Sequence, residues 1–475
     1  MSQTIIDQFV QNQIGRAPAL LKSYVQDDSG NKYVARSIFG NIKNLISDFQ
    51  RGQREIRMVG VPGLRGVGKT TLLAQTYLDL FPKYSDSLLY ISADQVVNEL
   101  DSNLFSIFDS YQRIIGTSFE KLDHDLFIFI DEIHFDPKWS AVLKTMYDRS
   151  KKIFVVCTGS SALSLQSTTD LARRIVFEKL YPMSFTEYML LKNKHGSKKP
   201  KLANQIKQAI FYSLDSLQCY SALSDLRPKV NKYWYGVDRL EIDRYLRFGS
   251  MPHSLNIKDE SKSQILTSQI VDRVVERDIP SLGKFDNATL TSIKNILLLI
   301  AGSSEVSINS LANTLKGISL VTLINVLETL EKAEMLIRIY PYGSAYKKVR
   351  KPSKYHFMTP AVRHSLLSII EGESAYRNHK GKYLEDIVAL TLYREFGVKL
   401  SSPIFYDSAK GGADFILSLA GKKVAIEVGH GNKDSRQVQA TLQKIKGDYG
   451  LVISNSQLAQ EDNIVKVPLE YFLLM

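Results

Sequence analysis

Eight residues constrain this chain more than any others: GLRGVGKT at 63–70, set between the apolar run IRMVGV and the helix-forming TTLLAQTYLDL. The spacing G-x-x-x-x-G-K-[S/T], after a strand and opening a helix, makes a loop whose backbone N–H groups converge on phosphate oxygens, with the helix dipole adding to the pull. Such a loop needs a parallel sheet behind it. The expected cradle is Gly63, Leu64, Arg65, Gly66, Val67, Gly68, Lys69, Thr70 and Thr71, with Lys69 neutralising the β- and γ-phosphates and Thr70 offering a hydroxyl to a metal ion. ATP and Mg²⁺ are therefore the expected cofactors. A Gly-rich turn that matches by chance is the alternative, and the strand-before, helix-after context speaks against it.

A phosphate cradle requires a second, acidic element, because the ion bridging the phosphates must be held and an attacking water oriented. The run LFIFIDEIH provides it: an apolar strand ending in Asp131, to hold the ion through its water shell, and Glu132, to act as base. The next strand, KIFVVCTGSS, ends in Thr158, Ser160 and Ser161. One of these polar groups, with Ser160 as candidate, is placed to sense a γ-phosphate; a Ser-rich turn is the plainer reading. Arg173 and Arg174 follow, and spacing alone leaves an arginine finger and an exposed basic pair equally open.

The order GLRGVGKTTLL, IDEIHFDPKW, TGSSA, Arg174 leading into KLYPMSFTEY, and later YLRFGSMP resembles the archaeal and bacterial AAA+ superfamily ATPases. More narrowly, it resembles the branch with a winged helix and a C-terminal domain of unknown function related to restriction endonucleases. The resemblance runs from about residue 33 to the C-terminus. It implies that Arg174 is the arginine near phosphate and that residues 33–38 line the adenine pocket. The DEIH string is also similar to superfamily-two helicases, but no second RecA-like domain with paired arginines follows.

Short apolar runs alternating with helical stretches imply a parallel sheet covered by helices. The expected organisation is α/β: a helical lead-in at 1–52, an AAA+ P-loop core at 53–183, a helical lid at 184–285, a winged helix at 286–360 and a restriction-endonuclease-like domain at 361–475. In the winged helix, the last helix offers Thr322, Asn325, Thr329, Glu328 and Glu331 with hardly any positive charge, which argues against base reading. The wing adds Lys347, Lys348, Arg350, Lys351 and Lys354 beside Tyr346 and Tyr355, residues that suit a nucleic-acid backbone or a packing role. In the last region, Glu385 on a helix, then Asp414 and Glu427 on successive strands, resemble the PD-(D/E)XK nuclease core. That core carries a lysine two residues after the second acid, on the same strand face. Here the position is Gly429. Lys422, Lys423 and Lys433 are the nearby substitutes, and a binding role without cleavage is the expectation.

At 475 residues, with 61 Lys and Arg against 49 Asp and Glu, the net charge is +12. Basic charge favours polyanionic partners by counterion release, so nucleic acid is an expected partner, with homo-oligomerisation a further one. The longest apolar runs, such as LFIFI, fall short of the ~18 residues of a membrane span. The N-terminus lacks a secretory pattern. Only Cys157 and Cys219 are present, so no disulfide framework forms, and a cytoplasmic location is expected.

Overall fold

The computed structural model describes residues 3–159, 173–193, 200–303, 308–315, 317–344, 351–397, 404–419, 421–431 and 433–475. Ser160, Ser161, Tyr346, Lys347, Lys348 and Arg350 lie outside them. The chain divides into two compact units, Met1–Tyr181 and Pro182–Met475.

In the first unit the apolar runs become strands β1 (Met58–Pro62), β2 (Leu88–Ser92), β3 (Leu126–Asp131), β4 (Ile153–Gly159) and β5 (Val176–Phe177). All pairings are parallel, in the order β2-β3-β4-β1-β5. Continuous apolar strands suit a sheet covered on both faces, and the alternation of side chains assigns each face its own packing. Ile128, Ile130 and Val155 join Ile6 and Val10 of the helix Gln3–Ser23 in one core. Phe127 and Phe154 turn the other way, where Phe49 of the helix Ser37–Gln50 meets them edge-on at 5.9 and 5.1 Å. The register pairs Val61 with Thr158 and Ile130 with Cys157, so the ends of β1, β4 and β3 finish side by side. Strand β4 thus separates the phosphate loop from the acidic strand end.

The second unit opens with helices that include Phe185–Asn193, Ser216–Tyr235 and Glu260–Arg273. Three more, Asn287–Gly302, Ile308–Thr314 and Leu320–Lys332, lead into the hairpin of β6 (Leu336–Pro341) and β7 (Lys354–Phe357). Next come β8 (Ile404–Tyr406), β9 (Phe415–Leu419), β10 (Lys422–Val428), β11 (Tyr449–Ser454), β12 (Ala459–Glu461) and β13 (Ile464–Pro468). Among the described residues they form one eight-stranded mixed sheet, ordered β12-β13-β11-β10-β9-β8-β6-β7. The hairpin expected as a separate wing is the edge of this sheet, because Tyr340 and Pro341 pair in parallel with Phe405 and Tyr406. The boundary expected at 360 therefore runs through a continuous sheet. No described helix is long and apolar enough to cross a membrane. Both cysteines are free and buried.

Candidate active site

Backbone conformation explains the glycines of the phosphate loop. Gly66 and Gly68 take φ of 84° and 95°, a region costly for any residue with a Cβ. Gly63 is needed for a different reason: a Cβ there would lie 2.3 Å from the carbonyl oxygen of Leu180. Leu64 and Val67 are fully buried and anchor the loop from below. Arg36 holds it from the side, donating to the carbonyl oxygens of Val67 (2.9 Å) and Tyr181 (2.8 Å). With Gln75 donating to Tyr33 O at 3.1 Å, the segment 33–38 lies along the loop and its helix.

Lys69 is buried, and its Nζ donates to Gly63 O (3.0 Å) and Leu64 O (3.3 Å). Thr70, next to Thr71 in the first turn of the helix Lys69–Tyr84, donates from Oγ1 to Asp131 Oδ2 at 2.8 Å. Thr158 of β4 binds both acidic residues: its hydroxyl donates to Asp131 Oδ1 and accepts the N–H of Glu132 at 3.0 Å. Burial, and then repulsion from Glu132, raises the Asp131 carboxyl above its ordinary value, while the two threonine hydroxyls and Lys69 pull it down. Glu132 takes left-handed backbone, φ 50° and ψ 45°. Its side chain lies between Lys69 Nζ (3.9 Å from Oε1) and His134 Nδ1 (3.4 Å from Oε2). Burial holds the His134 ring below its ordinary pKa. The Thr70 hydroxyl and Asp131 carboxylate converge as hard oxygen donors at a helix N-terminus, which fits a magnesium ion.

Ser160 lies outside the described residues, and Thr158 is the polar group of β4 that meets the acids. Arg174 is not brought to the phosphate loop. It pairs with Asp148 at 3.3 Å and stacks on Tyr147 at 5.5 Å. It precedes β5, which runs parallel to β1, and so lies at the strand edge opposite the loop. His134 and Thr158 were legible in part, and the role of Arg36 was not. Thr158 stood among three candidates and His134 within the DEIH string, whereas nothing in sequence marked Arg36 as a clamp.

In the second unit Glu385, on the helix Ser374–Leu392, shares one electrostatic neighbourhood with Asp414, just before β9, and Glu427, on β10. Removal from water, and then repulsion from Asp414, raises Glu385 to about 8 and Glu427 to about 7. Asp414 accepts the N–H of Val428 at 3.0 Å and pairs with Lys354 of β7 at 3.3 Å. Glu427 Oε1 pairs with Lys433 Nζ at 2.8 Å, and Glu427 Oε2 is buried without a hydrogen-bond partner. Lys422 and Lys423 point elsewhere, donating to Ser213 O and Ile445 O. Among the described residues no three His, Cys, Asp or Glu side chains gather as a metal cage.

Residues 55–189 match the AAA domain family, and residues 239–373 match a domain of unknown function, DUF8612. The uncharacterized protein MJ1637 of Methanocaldococcus jannaschii is 33% identical over 480 residues, spanning 99% of this chain and 94% of its own length. The chain belongs to the family of that protein, and its phosphate-loop unit is an AAA domain. A Haemophilus influenzae protein is 23% identical over 425 residues, spanning 86% of this chain and 92% of its own. Among solved structures, Aeropyrum pernix ORC1 in complex with DNA aligns at 12% identity and a TM-score of 0.34, covering 74% of this chain and 96% of that one. AMPPCP-bound DnaA from Aquifex aeolicus aligns at 14% and 0.29, covering 66% and 92%. Likeness at such TM-scores says nothing of what the chain does.

Proposed function

We propose that the AAA domain binds ATP with magnesium and hydrolyses it to ADP and phosphate, and that the second unit engages nucleic acid. The observation that supports hydrolysis is the unbroken chain of contacts Thr70–Asp131–Thr158–Glu132, which joins the phosphate loop to a carboxylate positioned as a base. Thr70 and Asp131 would hold the magnesium ion, which neutralises phosphate charge when bound. Lys69 exchanges its loop carbonyls for phosphate oxygens and stabilises the charge that spreads over them. Glu132 accepts the proton of the water whose oxygen bonds to the γ-phosphorus as the bond to the bridging β–γ oxygen breaks.

Glu132→Gln is expected to keep nucleotide binding and to lower turnover by about 10²–10⁴-fold, the usual worth of a general base. Lys69→Ala is expected to weaken binding itself. Phosphate release and nucleotide titration separate the two defects, and wild-type turnover in the Glu132 variant would refute the assignment.

The position of Arg174 across the sheet from its own phosphate loop supports a role on a neighbouring subunit's phosphates, in a homo-oligomer. Mixing Arg174→Ala with Glu132→Gln protein then restores part of the turnover. Full-rate hydrolysis by a monomer ends the idea.

A second reading is favoured by the carboxylates of Glu385, Asp414 and Glu427: the second unit hydrolyses phosphodiester bonds. A buried, unpartnered carboxylate oxygen and two carboxyls raised by burial and then by repulsion from Asp414 are costly to maintain for structure alone.

A further inference from the structure

Binding without cleavage was expected because position 429 is glycine, and the surroundings of that glycine hold the ammonium it lacks. Gly429 does not have a positive φ, so its backbone admits a side chain. What excludes one is Lys433: a Cβ at 429 would lie 2.8 Å from Lys433 Cδ and 3.3 Å from its Cγ. The stem of Lys433 therefore crosses the space that a residue at 429 would fill. Its ammonium ends 2.8 Å from Glu427 Oε1 and lies within the fields of Asp414 and Glu385 as well. Lys354 reaches the same group from the edge strand, but it is buried and bound to Asp414, whereas Lys433 is partly exposed.

We propose that Lys433 supplies the working ammonium of this carboxylate site, so that position 429 is glycine because a lysine from the following loop occupies its place. The inference rests on the phosphodiester reading above. An ammonium fixed there orders the attacking water and stabilises charge developing on the phosphate oxygens, the kind of donor most effective where solvent is excluded. In the step, the water oxygen bonds to phosphorus and the bond from phosphorus to the departing sugar oxygen breaks. The water's proton passes to a carboxylate of the cluster, and the departing oxygen takes a proton from solvent. Lys433 keeps its charge throughout.

A position swap tests this in the full chain. Lys433→Ala is expected to slow cutting of a plasmid in magnesium buffer by about 10²-fold, the usual cost of one such donor. Gly429→Lys alone is expected to gain nothing, because Lys433 already fills the space. The double variant Gly429→Lys with Lys433→Ala, which places the new ammonium on the strand face shared with Glu427, is expected to recover to within about tenfold of wild type. Unchanged cutting in Lys433→Ala, or a double variant no better than Lys433→Ala, overturns the proposal. A second readout uses a short DNA duplex in chelator, where nothing is cut: Lys433→Ala weakens binding and the swap restores it. If the wild type cuts nothing in magnesium, the phosphodiester reading falls, and this binding arm alone decides: affinity unaffected by Lys433→Ala overturns Lys433 as a phosphate-facing group. Far-ultraviolet circular dichroism and the melting curve of each variant exclude misfolding as the cause, and Lys433→Arg keeps the charge if Ala does not fold.

Discussion

Glu132, the proposed base, lies on strained backbone, since a left-handed φ in a residue other than glycine is uncommon and gathers at working sites. Its two oxygens are flanked by different partners, Lys69 on one and His134 on the other. Lys69 is drawn to phosphate in the proposed reaction, which leaves His134 to keep the carboxylate aimed. His134→Ala is expected to lower kcat by at most about tenfold, through loss of the 3.4 Å contact beside the carboxylate, with KM little changed. His134→Gln should recover part of that loss. An unchanged kcat in the Ala variant would show that the backbone alone aims Glu132. The phosphate loop and acidic pair were readable from sequence because each is local: a few adjacent residues and a strand end fix them. Arg36 and Lys433 were not, since a clamp on a distant carbonyl or an ammonium over a nearby glycine leaves no spacing pattern. By sequence Lys433 is one of three substitutes; its pairing with Glu427, and the binding of Lys422 and Lys423 to carbonyls away from the acids, single it out.

Among elements, periodicity revealed the strands and helices but not how the hairpin β6–β7 is used. Its parallel pairing to β8 joins segments far apart in sequence, a long-range choice that no local pattern encodes. Buried polar contacts reinforce that union. Arg363 donates to Asp386 at 2.6 and 2.8 Å and to Ala301 O at 2.6 Å, while Asp386 also accepts the N–H of Phe357 in β7. The expected winged helix and nuclease-like domain are thus tied through this ion pair as well as through Lys354–Asp414. The carboxylate cluster at this junction makes stability depend on pH. Glu385 titrates near 8 in the folded unit against an ordinary 4.5. Between those values the folded state holds a proton that the unfolded chain releases. Its contribution is complete below pH 4.5 and is lost as pH rises through about 8. The unfolding free energy in chelator should fall between about pH 4.5 and 8 by at most about 1.4 kcal/mol per pH unit from this group. Glu385→Gln, which cannot ionise, should show a flatter profile over the same window. Parallel profiles for the two proteins would show that Glu385 is not protonated in the folded state.

For the whole molecule, charge argues for a polyanionic partner and the fold narrows which of the proposed contacts are available. The helix Leu320–Lys332, which would be the base reader of a winged helix, exposes Leu320, Val321 and Ile324, an apolar face unsuited to base edges. Lys354, counted from sequence among the phosphate-binding cations of the wing, is buried against Asp414 and does not present its charge to a nucleic-acid backbone. Exposed Lys351 and the neighbouring Lys347, Lys348 and Arg350 of the same basic stretch in sequence remain as the proposed backbone contacts. Binding through them should show little sequence preference, and log affinity should fall linearly with log salt, because each phosphate contact releases condensed counterions. Replacing those four residues with Ala should weaken binding to unrelated duplexes about equally and reduce the salt slope by about one for each phosphate no longer neutralised. Lys354→Ala serves as the internal contrast: it removes the same formal charge, yet it should leave the salt slope close to wild type, since its ammonium is already committed to Asp414. A slope that drops as much for Lys354→Ala as for Lys351→Ala would show that Lys354 leaves Asp414 to neutralise a phosphate. An unchanged slope in the quadruple variant would remove this stretch from the interface altogether.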